Sequence, residues 1–237
     1  MIIAANLKTN FTRKKTQEYI TELESFLLKE SNSQEVLVFP AASSLNKHDG
    51  KVIVGTQNAY PVFNGAFTGE IAQEQLDEFE IKTILIGHSE RRHILGETQE
   101  MLVEKFNYYK KLGFKIVYCV GEPLEQREAG HDKMMSYISS QYEGIDINYK
   151  DLVIAYEPVW AIGTGLTPTL EDIELIHKEL KQKSCAPLLY GGSVKVTNAK
   201  EVLELENVDG VLVGSAALYS EHFCTICDYA QVIENKS

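Results

Sequence analysis

Eight short apolar runs alternate with longer stretches whose apolar residues recur at helical spacing, from one end of the chain to the other. The runs are IIAAN (2–6), EVLVF (35–39), KVIVG (51–55), KTILIG (82–87), KIVYCV (115–120), LVIAY (152–156), PLLY (187–190) and GVLVG (210–214). Segments such as TQEYITELESFLLKE and QEMLVEKFNYYKKLG lie between them and read as amphipathic helices. The stretch after the second run, AASSLNKHDG, is too short for a full helix and predicts one turn or a loop. Near-continuous apolar strands are buried on both faces, as in a parallel sheet. Strand–helix alternation then leaves a closed barrel or an open doubly wound sheet. The open sheet of dinucleotide-binding proteins needs a glycine-rich turn after its first strand. Here that strand runs into Asn6-Leu7-Lys8, with no glycine. The 237 residues suit one α/β barrel, which typically takes about 250. No linker or low-complexity tract breaks the chain. The expectation is a single domain over residues 1–237, a (β/α)8 barrel of eight parallel strands closed and ringed by helices.

A net charge of −11 argues against nucleic acid or an anionic membrane as partner. It also means that an anionic substrate has to be held by a local positive feature. No apolar segment has the length of a membrane span. The start, MIIAANLKTN, lacks the basic residues and long apolar stretch of a secretory signal, so a cytoplasmic location is expected. Four cysteines, Cys119, Cys185, Cys224 and Cys227, are too sparse for a disulfide framework. Cys224 and Cys227 form a CxxC without a second Cys/His pair at zinc spacing. Their segment reads as a helix with two small residues on one face.

In a barrel of this kind the active site lies at the C-terminal ends of the strands. Asn6 and Lys8 stand at the first such end, two apart, and an extended chain turns both to the same side. The fourth strand runs into GHSERR (87–92) and the sixth into AYEPVWAIGTG (155–165). The seventh ends in YGGSV (190–194) and the eighth in VGSAA (213–217). Taken singly, Lys8 reads as a solvated lysine, His88 as a helix-cap neighbour, Glu157 as a capping or salt-bridge residue and GGS as a turn. Polar and glycine residues at the same end of five strands are hard to explain as packing.

These motifs, with GAFTGE at 65–70, resemble in kind and in order the motif set of the triosephosphate isomerase family, over essentially the whole chain. The resemblance implies interconversion of dihydroxyacetone phosphate and D-glyceraldehyde 3-phosphate in glycolysis and gluconeogenesis. It implies Glu157 as catalytic base and His88 as electrophile. Lys8 and Asn6 would hold the substrate oxygens, and Glu90 would support Lys8 from behind. Gly163, Ser193, Gly214 and Ser215 would grip the phosphate through backbone N–H groups. Pro158, Trp160, Ile162 and Gly163 would belong to a lid over the substrate. Phe67 and Thr68 would lie in a loop that joins a homodimer, with Thr68 against the partner's active site. The chain departs from the family pattern at Leu166-Thr167-Pro168, where a lysine usually follows the last glycine, and at Gly214-Ser215, where two glycines are usual. Pro168 either stiffens the lid's hinge or starts the next helix at its first turn.

The chemistry suits these residues. A carboxylate in a water-poor site is a competent base for a proton next to a carbonyl. A lysine cation and neutral donors stabilise the enediolate that forms. The start of a helix after His88 disfavours imidazolium, and a neutral imidazole is the arrangement described for this family. Neither metal nor organic cofactor is required. A metal-assisted sugar-phosphate epimerase would instead carry His/Asp ligands on its strand ends, and a barrel surviving as an inactive scaffold would not be expected to keep Lys8, His88 and Glu157.

Overall fold

A computed structural model describes residues 1–29, 33–162 and 166–236. In chain order the elements are β1 (Ile2–Asn6), α1 (Arg13–Lys29), β2 (Glu35–Phe39), β3 (Val52–Val54), α2 (Gln73–Glu78), β4 (Thr83–Ile86), α3 (Ser89–His93), α4 (Gln99–Lys111) and β5 (Lys115–Val120). There follow α5 (Leu124–Glu128), α6 (His131–Ser140), β6 (Leu152–Tyr156), α7 (Leu170–Lys183), β7 (Leu188–Tyr190), α8 (Val196–Leu203), β8 (Gly210–Val213) and α9 (Ser220–Glu234). Every pairing between strands is parallel, in the order β3-β2-β1-β8-β7-β6-β5-β4. Thr56 closes the ring: its N–H donates to Thr83 O and its carbonyl accepts from Leu85 N, both at 2.9 Å, which joins β3 to β4. The fold is therefore a (β/α)8 barrel.

The period-2 alternation of a strand divides its side chains between two cores. Ile3 and Ala5 of β1 face outward, into the layer shared with the helices. Ala4 faces inward, where Leu37, Leu85, Val117, Val153, Leu189 and Leu212 meet it and fill the barrel. Asn6 has the parity of Ala4, so it sits on top of that interior plug, buried at the mouth.

Between β2 and β3 the chain makes only a 3-10 turn at Ala42–Ser44, as the short segment predicts. Helix α7 begins with Thr169 as its cap, whose hydroxyl accepts from Asp172 N at 3.1 Å. Pro168 is thus one residue ahead of the cap. The reading of Pro168 as a first-turn residue of the helix is corrected by this cap, because the threonine hydroxyl satisfies an orphan N–H of the first turn and fixes the start at Leu170. Among the described residues no helix is long and apolar enough to cross a membrane.

Candidate active site

A cavity of about 550 Å³ opens at the C-terminal ends of the strands. Asn6, Lys8, His88 and Glu157 line it together with Ser193, Gly214 and Ser215. Ile162 also reaches it. Gly163 lies outside the described residues.

Lys8 is placed by an unusual backbone. Its φ is +51°, in the left-handed region that a side-chain-bearing residue enters at a cost. Both Asn6 and Lys8 line the cavity, but the shared side of an extended chain is not the reason: β1 ends at Asn6. The turn is held from three directions. Asn6 Oδ1 accepts the Lys8 N–H at 3.0 Å. Gln57 Nε2 donates to Lys8 O at 2.8 Å and to Phe39 O at 2.9 Å. The Lys8 ammonium donates to Glu90 Oε1 at 2.6 Å, which ties β1 to α3.

His88 caps α3. Its Nδ1 accepts the Glu90 N–H at 3.2 Å, so in the neutral ring the proton is on Nε2. That Nε2 meets Glu157 Oε1 at 3.0 Å, and the other carboxylate oxygen accepts Ser89 N–H at 2.9 Å. Burial pulls the His88 imidazole down, but the Glu157 charge and hydrogen bond, aided by Glu90, outweigh it and raise its proton affinity. Burial pushes the Glu157 carboxyl up, yet His88, the Ser89 N–H and Lys8 together hold it below the ordinary carboxylate range. Both shifts come mainly from one contact. Nδ1 already accepts a hydrogen bond, so the neutral Nε2–H tautomer is the form this geometry favours.

Backbone clearance shapes the floor beneath Glu157. A Cβ on Gly121 would come within 1.7 Å of Glu157 O, and one on Gly191 within 3.0 Å of Glu157 Cγ. Of the paired glycines of YGGSV, read from sequence as a turn, Gly191 makes room for the Glu157 side chain and Gly192 for Tyr190 and Pro158. The Ser193 hydroxyl donates to Ala161 O at 2.7 Å, and Asn198 Nδ2 holds Ser193 O at 2.9 Å.

Before the described chain stops at Ile162, Pro158 is buried and Trp160 half-buried. Trp160 Nε1 donates to Glu122 at 2.9 Å, and the Arg127 guanidinium lies 4.6 Å from its ring centroid. Glu122 is fully buried, and burial raises its pKa despite donors from Trp160 and Tyr156.

Phe67 and Thr68 are exposed and far along the chain from these groups, and Phe67 is partly accounted for by its own loop, its ring lying 4.2 Å from that of Tyr60. Cys224 and Cys227 lie on α9 among its packed residues, and burial pushes both thiols up, Cys224 to about 11.

Sequence reasoning passed over Gln57, and it read Ser89, Gly191 and Gly192 within their motifs without giving them a role of their own. Ser89 carried a usable signal, since it is the first residue of a helix beginning just after His88, where free N–H groups are found.

A family model described as triosephosphate isomerase matches residues 1–230. A triosephosphate isomerase of Sulfurimonas denitrificans is 73% identical over 237 residues, covering 100% of this chain and 99% of its own. Enzymes of the same name from a Sulfurovum species and from Wolinella succinogenes are 55% and 54% identical, each covering 94% of this chain and 97% of their own.

Proposed function

The chain belongs to the triosephosphate isomerase family, an isomerase family that interconverts dihydroxyacetone phosphate and D-glyceraldehyde 3-phosphate in glycolysis, and we propose the following roles for its residues in that reaction. Glu157 removes a proton from the carbon beside the substrate carbonyl. The C–H electron pair moves into the carbon–carbon bond and the carbonyl pair onto oxygen, giving an enediolate. The His88 Nε2–H and the Lys8 ammonium, with Asn6, stabilise the charge on the two oxygens. The former carbonyl oxygen takes the His88 Nε2 proton, the imidazole recovers one from the neighbouring hydroxyl, and as that oxygen becomes the new carbonyl Glu157 returns its proton to the other carbon, which completes the isomerisation. Glu90 steadies Lys8. The phosphoryl group sits opposite, on backbone N–H groups of Gly163, Ser193, Gly214 and Ser215.

The observation that carries this reading is the meeting of Lys8, His88 and Glu157, from three different strand ends, in one cavity with a 3.0 Å His88–Glu157 contact. That contact also defines what substrate binding has to change. The imidazole N–H must pass from Glu157 to a substrate oxygen, which frees the carboxylate to act and withdraws the partner that raised the His88 pKa. A lid of Pro158, Trp160, Ile162 and Gly163 would then keep water from the enediolate.

The same reading makes the chain one barrel domain working as a cytoplasmic homodimer, serving gluconeogenesis as well as glycolysis, with no cofactor, nucleic-acid or membrane partner. Glu157→Gln tests its centre. A glutamine cannot accept the proton, so turnover of glyceraldehyde 3-phosphate should fall by roughly 10²–10⁴ in a variant with unchanged circular dichroism. Turnover within a few-fold of the parent would remove Glu157 from the role of base.

A further inference from the structure

The chain of β5 runs on past the end of one of its neighbours. Along β5 and its continuation the even-numbered residues bond to β6. Ile116 N donates to Asp151 O at 2.9 Å, while Val120 O and Glu122 O accept from Glu157 N and Val159 N at 2.7 and 3.0 Å. The odd-numbered residues turn to β4, as Lys115 N does to Lys82 O at 2.8 Å. β4 stops at Ile86, opposite Tyr118, where the chain bends through Gly87 at a φ of +79° into His88. Cys119 and Gly121 therefore face the side where β4 has ended. Buried backbone groups left there without partners would be costly, and two side chains supply them. Arg92 Nη2 donates to Cys119 O at 3.1 Å, and its Nε donates to Gly87 O at 2.8 Å. Gln141, buried just beyond α6, clasps Gly121 from both sides of its amide: Oε1 accepts the Gly121 N–H at 2.8 Å, and Nε2 donates to Gly121 O at 2.9 Å.

Gly121 is the residue that Glu157 rests on. Its Cα packs so close to the Glu157 carbonyl that a Cβ there would lie 1.7 Å from Glu157 O. A shift of Gly121 is thus a shift of Glu157. The clasp is held in turn. Gln141 O accepts from the Tyr118 hydroxyl at 2.7 Å and from Gln99 Nε2 at 2.9 Å. Arg92 reaches the same two side chains, Nη2 to the Tyr118 oxygen at 2.9 Å and Nη1 to Gln99 Oε1 at 3.0 Å. One run of hydrogen bonds therefore leads from Gly87, just before His88, to Gly121, just under Glu157. Gln141 is not part of the active-site cavity lining among the described residues. We propose that Gln141 is a positioning residue for the isomerisation. Through Gly121 it fixes the backbone of Glu157, and through Tyr118, Gln99 and Arg92 it ties that backbone to the start of α3, so that it sets the reach of the base. This rests on Glu157 being the base in the reading above.

Gln141→Leu keeps the bulk and removes both bonds to Gly121. Its kcat for glyceraldehyde 3-phosphate should fall by about tenfold to a hundredfold, since a small displacement of a reacting group is expensive, while KM stays within about twofold and the circular dichroism is unchanged. In a Glu157→Gln background the same substitution should cost less than about twofold, because the base that it positions is gone. An unchanged kcat, a rise in KM alone, or an equal loss in both backgrounds would overturn the proposal. If Gln141→Leu does not fold, Gln141→Glu decides. A protonated carboxyl offers Gly121 the donor and the acceptor of the amide, whereas the carboxylate turns a charge on Gly121 O. The kcat of Gln141→Glu relative to the parent should therefore fall at least about fivefold between about pH 5 and pH 9, a window wide enough for the upward shift that burial gives a carboxyl. A ratio that stays flat would overturn the proposal. Failure of the isomerase reading shows separately, as a parent that does not turn over triose phosphate or a Glu157→Gln variant that keeps the parent's rate.

Discussion

Lys8 has to give up a favourable backbone to stand where it does. A left-handed conformation costs a side-chain-bearing residue roughly 1–2 kcal/mol, and beside Asn6 and Glu90 it is Gln57 that holds the Lys8 carbonyl there, with one amide nitrogen bonded to two carbonyls. The inference is that Gln57 positions the ammonium without touching substrate. Gln57→Ala should let the Lys8 turn relax and lower kcat/KM by about tenfold to a hundredfold, with the fold intact, because small misplacements of a positioned group are expensive. Made in a Lys8→Ala background, the same change should add almost nothing to the loss of affinity for a phosphate monoester. Equal losses in both backgrounds would make Gln57 a general prop of the barrel instead. This pair also marks where sequence reading stops. Asn6, Lys8, His88 and Glu157 were legible because strand ends can be located and chemistry belongs there. The turn at Lys8 was not, because one of the groups that hold it lies 49 residues further along the chain, in a glutamine with no local pattern.

At the scale of elements, strand and helix limits followed from apolar runs and helical spacing, and even the missing helix after β2 was visible as a shortage of residues. What could not be read was burial inside the layer between elements. His177 of α7 is wholly buried, its ring 5.8 Å from that of Tyr156 and 6.2 Å from that of Tyr190. Nδ1 meets Asn207 O at 3.0 Å, while Nε2 has no partner among the described residues. Burial lowers its pKa to about 4. Between the ordinary imidazole value near 6.5 and about 4, the unfolded chain carries a proton that the folded chain does not, so stability falls as the pH drops through that window. The loss from this one group should approach about 3 kcal/mol. Urea unfolding at pH 7.5, 6 and 5 measures it. His177→Gln should give a flatter dependence than the parent over that range, whatever its absolute stability, and parallel curves for the two proteins would assign the acid sensitivity to other groups.

At the scale of the whole molecule, the barrel leaves apolar surface that one copy does not cover. Ile94 is 76% exposed and Leu95 63%, just after α3, and Phe63 is 53% exposed near the loop that carries Phe67 and Thr68. These side chains are the surface that the proposed homodimer would cover. A second cavity, of about 390 Å³, flanks the active site, and in the proposed homodimer it would receive the partner. It is lined by Lys8, Asn10, Gln57, Glu90, Ile94 and Leu95, so it combines Lys8 with the exposed pair. The tip of the 65–70 loop is small and apolar at its end, and two copies related by a twofold axis would each place that tip in the other's cavity. Thr68 would then reach the neighbourhood of Lys8 and His88, and dimerisation would hold the Lys8–Glu90 pair in place as well as cover Ile94 and Leu95. Thr68→Arg places a long charged side chain at that tip. It should weaken the dimer at least tenfold in sedimentation velocity at micromolar protein, and specific activity should fall in step with the dimer fraction. A parent protein that sediments as a fully active monomer at micromolar concentration would leave the loop a self-packed surface feature, resting on the Phe67–Tyr60 contact alone.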